Sequence, residues 1–454
     1  MRKVKGVIVL QRENWASRLG FMLAAMGSAV GLGNIWRFSY VAGENGGGAF
    51  LIIYLLSVLI IGVPLLLTEV SIGRKAQSDV VGSYQKLAPK KPWYMVGFLG
   101  IGGAFLILGF YSVVAGWAFY YLWNYLTGQL FVEPEGGYGA AFGQFTSTTY
   151  EPLFWHGLFM VITMVIVLIG IKKGIELANK IFMPILAILL LVLAGYSVTL
   201  DGAMEGLAFL FKPDWSVLSD PFVYIAALGQ AFFSLSLGVG TMMTYGSYLS
   251  KEHKLPGATV GIGLMDTLFA VISGIVIFPA VFAFGIEPAS GPPLVFITLP
   301  SIFEQMPFGS IVAILFFLAL CLAAVSSSIS LLEVPVAYFM RVCSWSRRVA
   351  TIVTGSVMFV LGVFVSLGFG IWSGVTPIGD RNILDSMDYI ASNIFLPIGG
   401  LVMAIFIGWY FTKEEAFEAT DLTTSPLRNV WLVLVRYIAP ILIAIIFLNA
   451  LDII

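Results

Sequence analysis

Charge is scarce in this chain. Lys, Arg, Asp and Glu make up 11% of its 454 residues, against about 25% in a soluble domain. Most of its surface therefore cannot face water. The net charge of −1 leaves no basic surplus for a nucleic-acid partner. Cysteine and histidine are nearly absent, with two of each. On one helix, Cys321 and Cys343 would stand about 33 Å apart at ~1.5 Å per residue, which excludes a disulfide between them. His156 and His253 lie near the ends of apolar runs, far from each other, and suggest no metal site. No nucleophile–base or metal constellation points to an enzyme. The N-terminus, MRKVKGVIVLQREN, starts basic but has only a four-residue apolar stretch. That is too short for a signal-peptide core, so the first long apolar run is expected to stay in the mature protein.

What is plentiful is apolar side chain, 59% by the AVILMFWYC count, with a mean hydropathy of +0.95. A membrane span needs about 20 such residues. Eleven runs of that kind are predicted, at 15–42, 49–73, 94–127, 154–171, 175–200, 221–249, 257–286, 308–340, 348–373, 389–411 and 430–450. Only helices or closed barrels satisfy their backbone in lipid, and these runs are too long and too uniformly apolar for barrel strands. The expected class is an all-α membrane protein of about eleven transmembrane helices, forming a single domain over residues 1–454.

Orientation follows from the basic residues. With a cytoplasmic N-terminus, only Arg37, Lys212 and Arg381 fall outside, leaving 21 of the 24 on the inner side. The outer segments carry acids instead, among them Glu133, Glu135, Glu151, Asp201 and Glu205. This places the chain in the cell (inner) membrane with its C-terminus outside. Neither the outer loop 128–153 nor the inner loop 412–429 is long enough to fold alone.

Two spans are interrupted at mid-length by small and polar residues. Span 1 contains Gly27-Ser28-Ala29-Val30-Gly31-Leu32-Gly33-Asn34, and span 6 contains Ser234-Leu235-Ser236-Leu237-Gly238-Val239-Gly240. Glycine costs about 1 kcal/mol against alanine inside a helix. Close helix packing is one reading, since Gly27 and Gly31 form a GxxxG pair. The other is a pair of broken helices, whose freed carbonyls bind cations and freed N–H groups bind a carboxylate. The second is favoured by the spacing of five spans, an odd number that inverts a second repeat relative to the first.

At this point the strings GSAVGLGNIWRF (27–38), ENGGGAF (44–50), GVPLLLTEVSIGR (62–74), GQAFFSLSLGVG (229–240) and AAVSSSIS (323–330) resemble the neurotransmitter:sodium symporter family, in order and at family-like spacing. The eleven spans are similar to its compact bacterial branch. The resemblance implies a leucine-transporter-like fold of five plus five inverted helices, helices 1 and 6 unwound at the midplane, with repeats at roughly 10–200 and 220–411 and an extra helix at 430–450. It also implies sodium-coupled symport of an amino acid into the cell by alternating access. The partners implied are a small-molecule amino acid and membrane lipid, with no obligatory protein partner.

Two sodium ions are implied. The first site takes Ala29, Asn34, Ser234 and Asp266, together with the substrate carboxylate. The second takes Gly27, Val30, Ala323, Ser326 and Ser327. Carbonyl and hydroxyl oxygens suit a hard cation, although Ser326-Ser327-Ser328 could instead bond back to its own helix. Asp266 stands where familiar members carry Asn. A carboxylate in mid-membrane is costly unless paired, and it would replace the chloride that eukaryotic members use, so transport is expected to be chloride-independent. Glu69 either meets N–H groups freed by the broken helices or snorkels to the cytoplasm. Glu333 has no assigned role.

The implied substrate pocket comprises Ser28, Ala29, Gly31, Gly33, Ile107, Tyr111, Phe233, Ser234, Ser236, Val239, Ser327 and Leu331. Gly31 occupies the position of the amine-binding aspartate in monoamine carriers, so the charge must come from the substrate, as in an α-amino acid. Ile107, Phe233, Val239 and Leu331 predict a hydrophobic side chain, and Val239, where leucine-carrying members have phenylalanine, leaves room for an aromatic one. Arg37 and Asp388 form the implied outer gate, closing over Tyr111 and Phe233. Arg12 and Trp15, with Tyr248 near, form the inner one. The acid expected after span 8 is replaced by Arg341, so the inner lock needs another partner. Gly174 and Pro184 match a helix-5 unwinding pattern of the family. The rival expectation is a sodium-dependent amino-acid sensor that binds without transporting.

Overall fold

The computed structural model describes residues 13–130, 134–285, 294–451 and 453, and the backbone of a short antiparallel ladder pairing Arg2–Val4 with Val7–Val9. Arg12 and Glu133 lie outside the described residues. The apolar runs are helices throughout, as the need to satisfy backbone groups without water requires.

The first run is a bent pair, α1 (Arg18–Ala29) and α2 (Gly33–Glu44), whose axes differ by 51°. Then follow α3 (Gly48–Ala76), α4 (Tyr94–Leu126), α5 (Tyr150–Ile169) and α6 (Ile171–Ser197). The sixth run is again two pieces, α7 (Pro221–Ser234) and α8 (Thr241–Gly246). It is succeeded by α9 (Pro256–Ala283), α10 (Gly309–Val342), α11 (Arg347–Leu367), α12 (Ile383–Tyr410) and α13 (Arg428–Ala450). Nine of these helices are long and apolar enough to cross a membrane, and the bent pair makes ten. The eleventh expected span is α7 with α8, of 14 and 6 residues, neither of which could cross alone.

The two breaks have a local cause. α1 ends at Ala29, where Val30 turns to extended backbone (φ −75°, ψ 101°). Between α7 and α8 the chain passes through left-handed conformations at Ser236 (φ 52°), Gly238 (φ 84°) and Gly240 (φ 86°). Glycine adopts these without steric cost. Serine does not, and Ser236 is held there by its hydroxyl donating to the Ser28 carbonyl at 3.1 Å, so one break braces the other.

Packing around the breaks is close. A Cβ on Gly73 would come within 1.9 Å of the Met243 carbonyl, and one on Gly246 within 2.4 Å of the Val70 carbonyl. α3 and α8 therefore touch backbone to backbone, as small residues allow in membrane helices. α4 and α10, the longest helices, pack together behind the breaks. His156 on α5 is buried, with Nε2 2.9 Å from Ser112 Oγ of α4. Cys321 is buried, Cys343 exposed, and both are free thiols.

At the end where α3 finishes, Arg74 gathers three segments. Its guanidinium reaches Asp421 with two bonds of 2.7 and 2.8 Å, the His253 carbonyl at 2.7 Å and the Ala419 carbonyl at 3.0 Å. The expected loop 412–429 is thus not loose. It holds a short helix, Lys413–Ala419, started by a Thr412/Glu415 capping box, and Asp421 locks it down.

Candidate functional site

The breaks in α1/α2 and α7/α8 face a cleft of about 450 Å³, counting its open mouth. It is lined by Ser28, Ala29, Gly31, Leu32, Gly33, Ile107, Tyr111, Phe233, Ser236, Val239, Ser327, Leu331 and Leu396. Eleven of the twelve expected pocket residues stand on that wall. Ser234 does not: its hydroxyl turns away from the cleft to Asp266 Oδ2, at 2.7 Å. Leu32 and Leu396 are additions that the sequence pattern did not mark, because an apolar residue in an apolar run carries no signal. The Tyr111 hydroxyl accepts from the Leu32 N–H at 3.3 Å, so the one phenol on the wall already meets an N–H freed by the break.

The first expected cation set is drawn together behind this wall. Asn34 Nδ2 donates to Asp266 Oδ1 at 2.7 Å, to the Asp266 carbonyl at 3.0 Å and to Ser234 Oγ at 3.1 Å. Both Asp266 carboxylate oxygens are thus met by donors. Tyr54 donates to Ser234 at 3.4 Å, while the Asn34 amide oxygen accepts from the Gly31 N–H at 3.1 Å. Asn34, Ser234 and Asp266 are all buried. Charge-assisted bonds of this kind are roughly twice as strong as neutral ones, which makes a carboxylate at this depth tenable.

The second set also converges. Ser327 Oγ lies 3.1 Å from the Gly27 carbonyl and 3.3 Å from that of Val30. Ser326 Oγ lies 2.8 Å from the Ala323 carbonyl and 3.4 Å from that of Val30. The two readings of the serine run divide between its members. Ser328 bonds back three residues within α10, Ser327 reaches across to the Gly27 and Val30 carbonyls, and Ser326 does both. Five oxygens from α1 and α10 therefore surround one place, with partial charge and no carboxylate.

Glu69 is fully buried on α3 and accepts from the N–H groups of Gly238 at 3.2 Å and Met243 at 3.4 Å. It meets the break in α7/α8 and does not snorkel. Ser28 Oγ and Ser330 Oγ are 2.7 Å apart, tying the first break to α10.

The gates differ from expectation. Arg37 does not pair with Asp388. Its Nη1 donates to Gln230 Oε1 at 2.9 Å and its guanidinium lies 4.7 Å from the centre of the Phe233 ring. Asp388 accepts from Ser392, four residues on, at 2.6 Å. Each charge has a nearer partner. Gln230 also donates to the Gly33 carbonyl at 2.9 Å, linking Arg37 to the first break. A glutamine in the string GQAFFSLSLGVG was the available sign of this.

Trp15 is buried and its Nε1 donates to the Tyr245 carbonyl at 2.9 Å, while Arg12 is outside the described residues. Among the described residues, Arg341 pairs with Asp79, the N-cap residue of the helix Val80–Leu87. A largely buried ion cluster is built on Arg347, which bonds Glu333 at 2.7 and 3.0 Å and Glu13 at 3.1 Å. Tyr248 donates to Glu333 at 2.6 Å and the Ile171 N–H to Glu13 at 2.7 Å. Glu176 adds a second clasp, accepting from the Ala16 N–H at 2.7 Å and Ser17 Oγ at 3.0 Å. Gly174 lies in a π-helical turn, Ile171–Glu176, that opens α6, and Pro184 sits inside the same helix.

The model of the sodium:neurotransmitter symporter family matches residues 12–134 and 153–453. A sodium-dependent transporter of Bacillus subtilis, YhdH, is 39% identical over 442 residues, covering 97% of this chain and 98% of that one. A sodium-dependent transporter of Methanocaldococcus jannaschii is 33% identical, covering 97% and 91%. Among solved structures, MhsT in complex with L-phenylalanine superposes with a TM-score of 0.91 at 58% identity, over 97% of this chain and 100% of that one. The fold is the leucine-transporter-like one.

Proposed function

This chain belongs to the sodium:neurotransmitter symporter family and is a sodium-dependent transporter, not an enzyme, and on that premise we propose that it carries a hydrophobic or aromatic L-amino acid into the cell by alternating access, without chloride. The observation that carries the proposal is the cleft wall. None of its described lining residues is charged, and Gly31 offers no side chain where an amine-carrying member needs an acid. The substrate carboxylate faces the Tyr111 hydroxyl and the backbone of the broken α1/α2. The side chain lies among Ile107, Phe233, Val239 and Leu331. The short Val239 side chain leaves depth there, and the neighbour that holds L-phenylalanine supports the aromatic end of the range. One methylene is worth only about 1–3 kcal/mol in such a pocket, so breadth is expected.

Two sodium ions complete the reading. The first is held by Ala29, Asn34, Ser234 and Asp266, the second by Gly27, Val30, Ala323, Ser326 and Ser327. Each charge crossing supplies about 2.3 kcal/mol per 100 mV, so two sodium ions with a zwitterion supply roughly 4.6. The protein is placed in the cell (inner) membrane as one domain, N-terminus cytoplasmic and C-terminus outside. Its repeats are roughly 10–200 and 220–411, followed by the extra helix at 430–450. The clasp of Glu13, Arg347 and Glu333 ties the segment before α1 to α10 and α11, which favours transport over a binding-only sensor.

Uptake into proteoliposomes tests this. Labelled phenylalanine, tryptophan, tyrosine and leucine are each offered under an inward sodium gradient, with potassium as control. Accumulation above equilibrium by at least one of them is expected. Binding without accumulation means a sensor, and failure of all four to bind removes the substrate class. Asp266→Asn tests the chloride claim. It removes the fixed charge, so its uptake is expected to become chloride-dependent while the wild type stays indifferent. Equal uptake by both proteins in chloride-free buffer argues against it.

A further inference from the structure

Asn179 lies on α6, fully buried, three residues past the π-helical turn. Its Nδ2 donates to the Ile175 carbonyl at 2.9 Å. That bond sets the amide's orientation, since flipping it would press Oδ1 against a carbonyl oxygen. Oδ1 must therefore face away from its own helix, and it has no hydrogen-bond partner there. What it faces is α1 at Gly27: a Cβ on Gly27 would come within 1.9 Å of Asn179 Oδ1 and 3.2 Å of Ser326 Cβ. Gly27 and Ser326 both belong to the second oxygen set. A third helix thus brings an unpaired, buried amide oxygen against Gly27, a member of the second oxygen set.

A buried acceptor without a partner is destabilising, and native structures satisfy nearly all of them. The Gly27 Cα–H is a weak donor and does not match the strength of the bond an amide oxygen can make. An amide carbonyl is, however, the ligand type that hard cations take. We infer that Asn179 is a further cation-ligating residue, whose amide oxygen supplies a sixth oxygen to the sodium ion of the second site from α6. The inference rests on the two-cation reading above. It gives Gly27 a second role, because any side chain there would separate the amide from the ion.

The test uses the purified full chain and sodium alone, with no amino acid present. The unfolding temperature is followed as sodium chloride replaces potassium chloride at constant ionic strength, and again with lithium chloride. Asn179→Ala is expected to need about five to ten times more sodium for the half-maximal shift, and to change the ratio of the sodium and lithium midpoints. A variant that unfolds at a lower temperature but keeps both midpoints shows that Asn179 only packs, and overturns the inference. If the wild type shows no sodium shift, the two-cation reading itself falls and the inference falls with it. Should the alanine variant not fold, Asn179→Asp keeps an oxygen toward Gly27. It is expected to respond at or below the wild-type sodium concentration, and a fivefold rise overturns the inference.

Discussion

Arg347→Ala is expected to lower stability by about 3–5 kcal/mol, the range for removing one partner of a buried ion pair. Glu333 is fully buried on α10, and without Arg347 its partner among the described residues is the Tyr248 hydroxyl. Glu13 loses its cation at the same time, which frees the segment before α1 from α11. The effect should appear in mixed-micelle denaturation. Faster amide exchange at residues 13–20 and 171–176 should accompany it, because Glu13 bonds the Ile171 N–H. Arg347→Lys keeps the charge but loses the planar fork that reaches two carboxylates at once, and should fall between. A loss below about 1 kcal/mol, the range of exposed pairs, would mean that water reaches Glu333 and that the lock is open at rest.

Gly31→Ala is expected to weaken amino-acid binding about a hundredfold, or ~2.8 kcal/mol at 1.4 kcal/mol per decade. The new methyl would stand 2.4 Å from Ser327 Oγ and 3.0 Å from the Tyr111 hydroxyl. Ser327 cannot withdraw freely, since its hydroxyl is engaged with the Gly27 and Val30 carbonyls. The methyl therefore disturbs the pocket and the second oxygen set together, and sodium dependence should shift with substrate affinity. Gly143→Ala, whose Cβ would meet nothing within 4 Å, is the control and should bind as the wild type does. Equilibrium binding of labelled phenylalanine across a sodium series measures both. Unchanged binding by Gly31→Ala would show that the substrate sits elsewhere.

Much of this site is legible in the sequence. Gly27, Gly31, Gly33, Ser236, Gly238 and Gly240 are small and polar residues where a lipid-spanning helix has no use for them, and both breaks fall there. Glu69 showed a carboxylate that needed donors, and the break in α7/α8 provides them. Gln230, Asn179 and Glu333 were visible as polar residues in apolar runs, yet nothing in the string says which way each points. Leu32 and Leu396 gave no signal at all.

The helices followed from the sequence alone, because a backbone in lipid must satisfy itself locally. The breaks followed as well, being set by the conformational freedom of a few adjacent residues. The choice of ionic partners did not. Arg37 takes Gln230 and not Asp388, Arg341 takes Asp79, and Arg347 takes Glu13 and Glu333. Three of these four pairs join residues 193, 262 and 334 positions apart. Which charges meet depends on distances in space that no local pattern encodes, and a charge at this depth takes the nearest well-placed partner that the packed helices present.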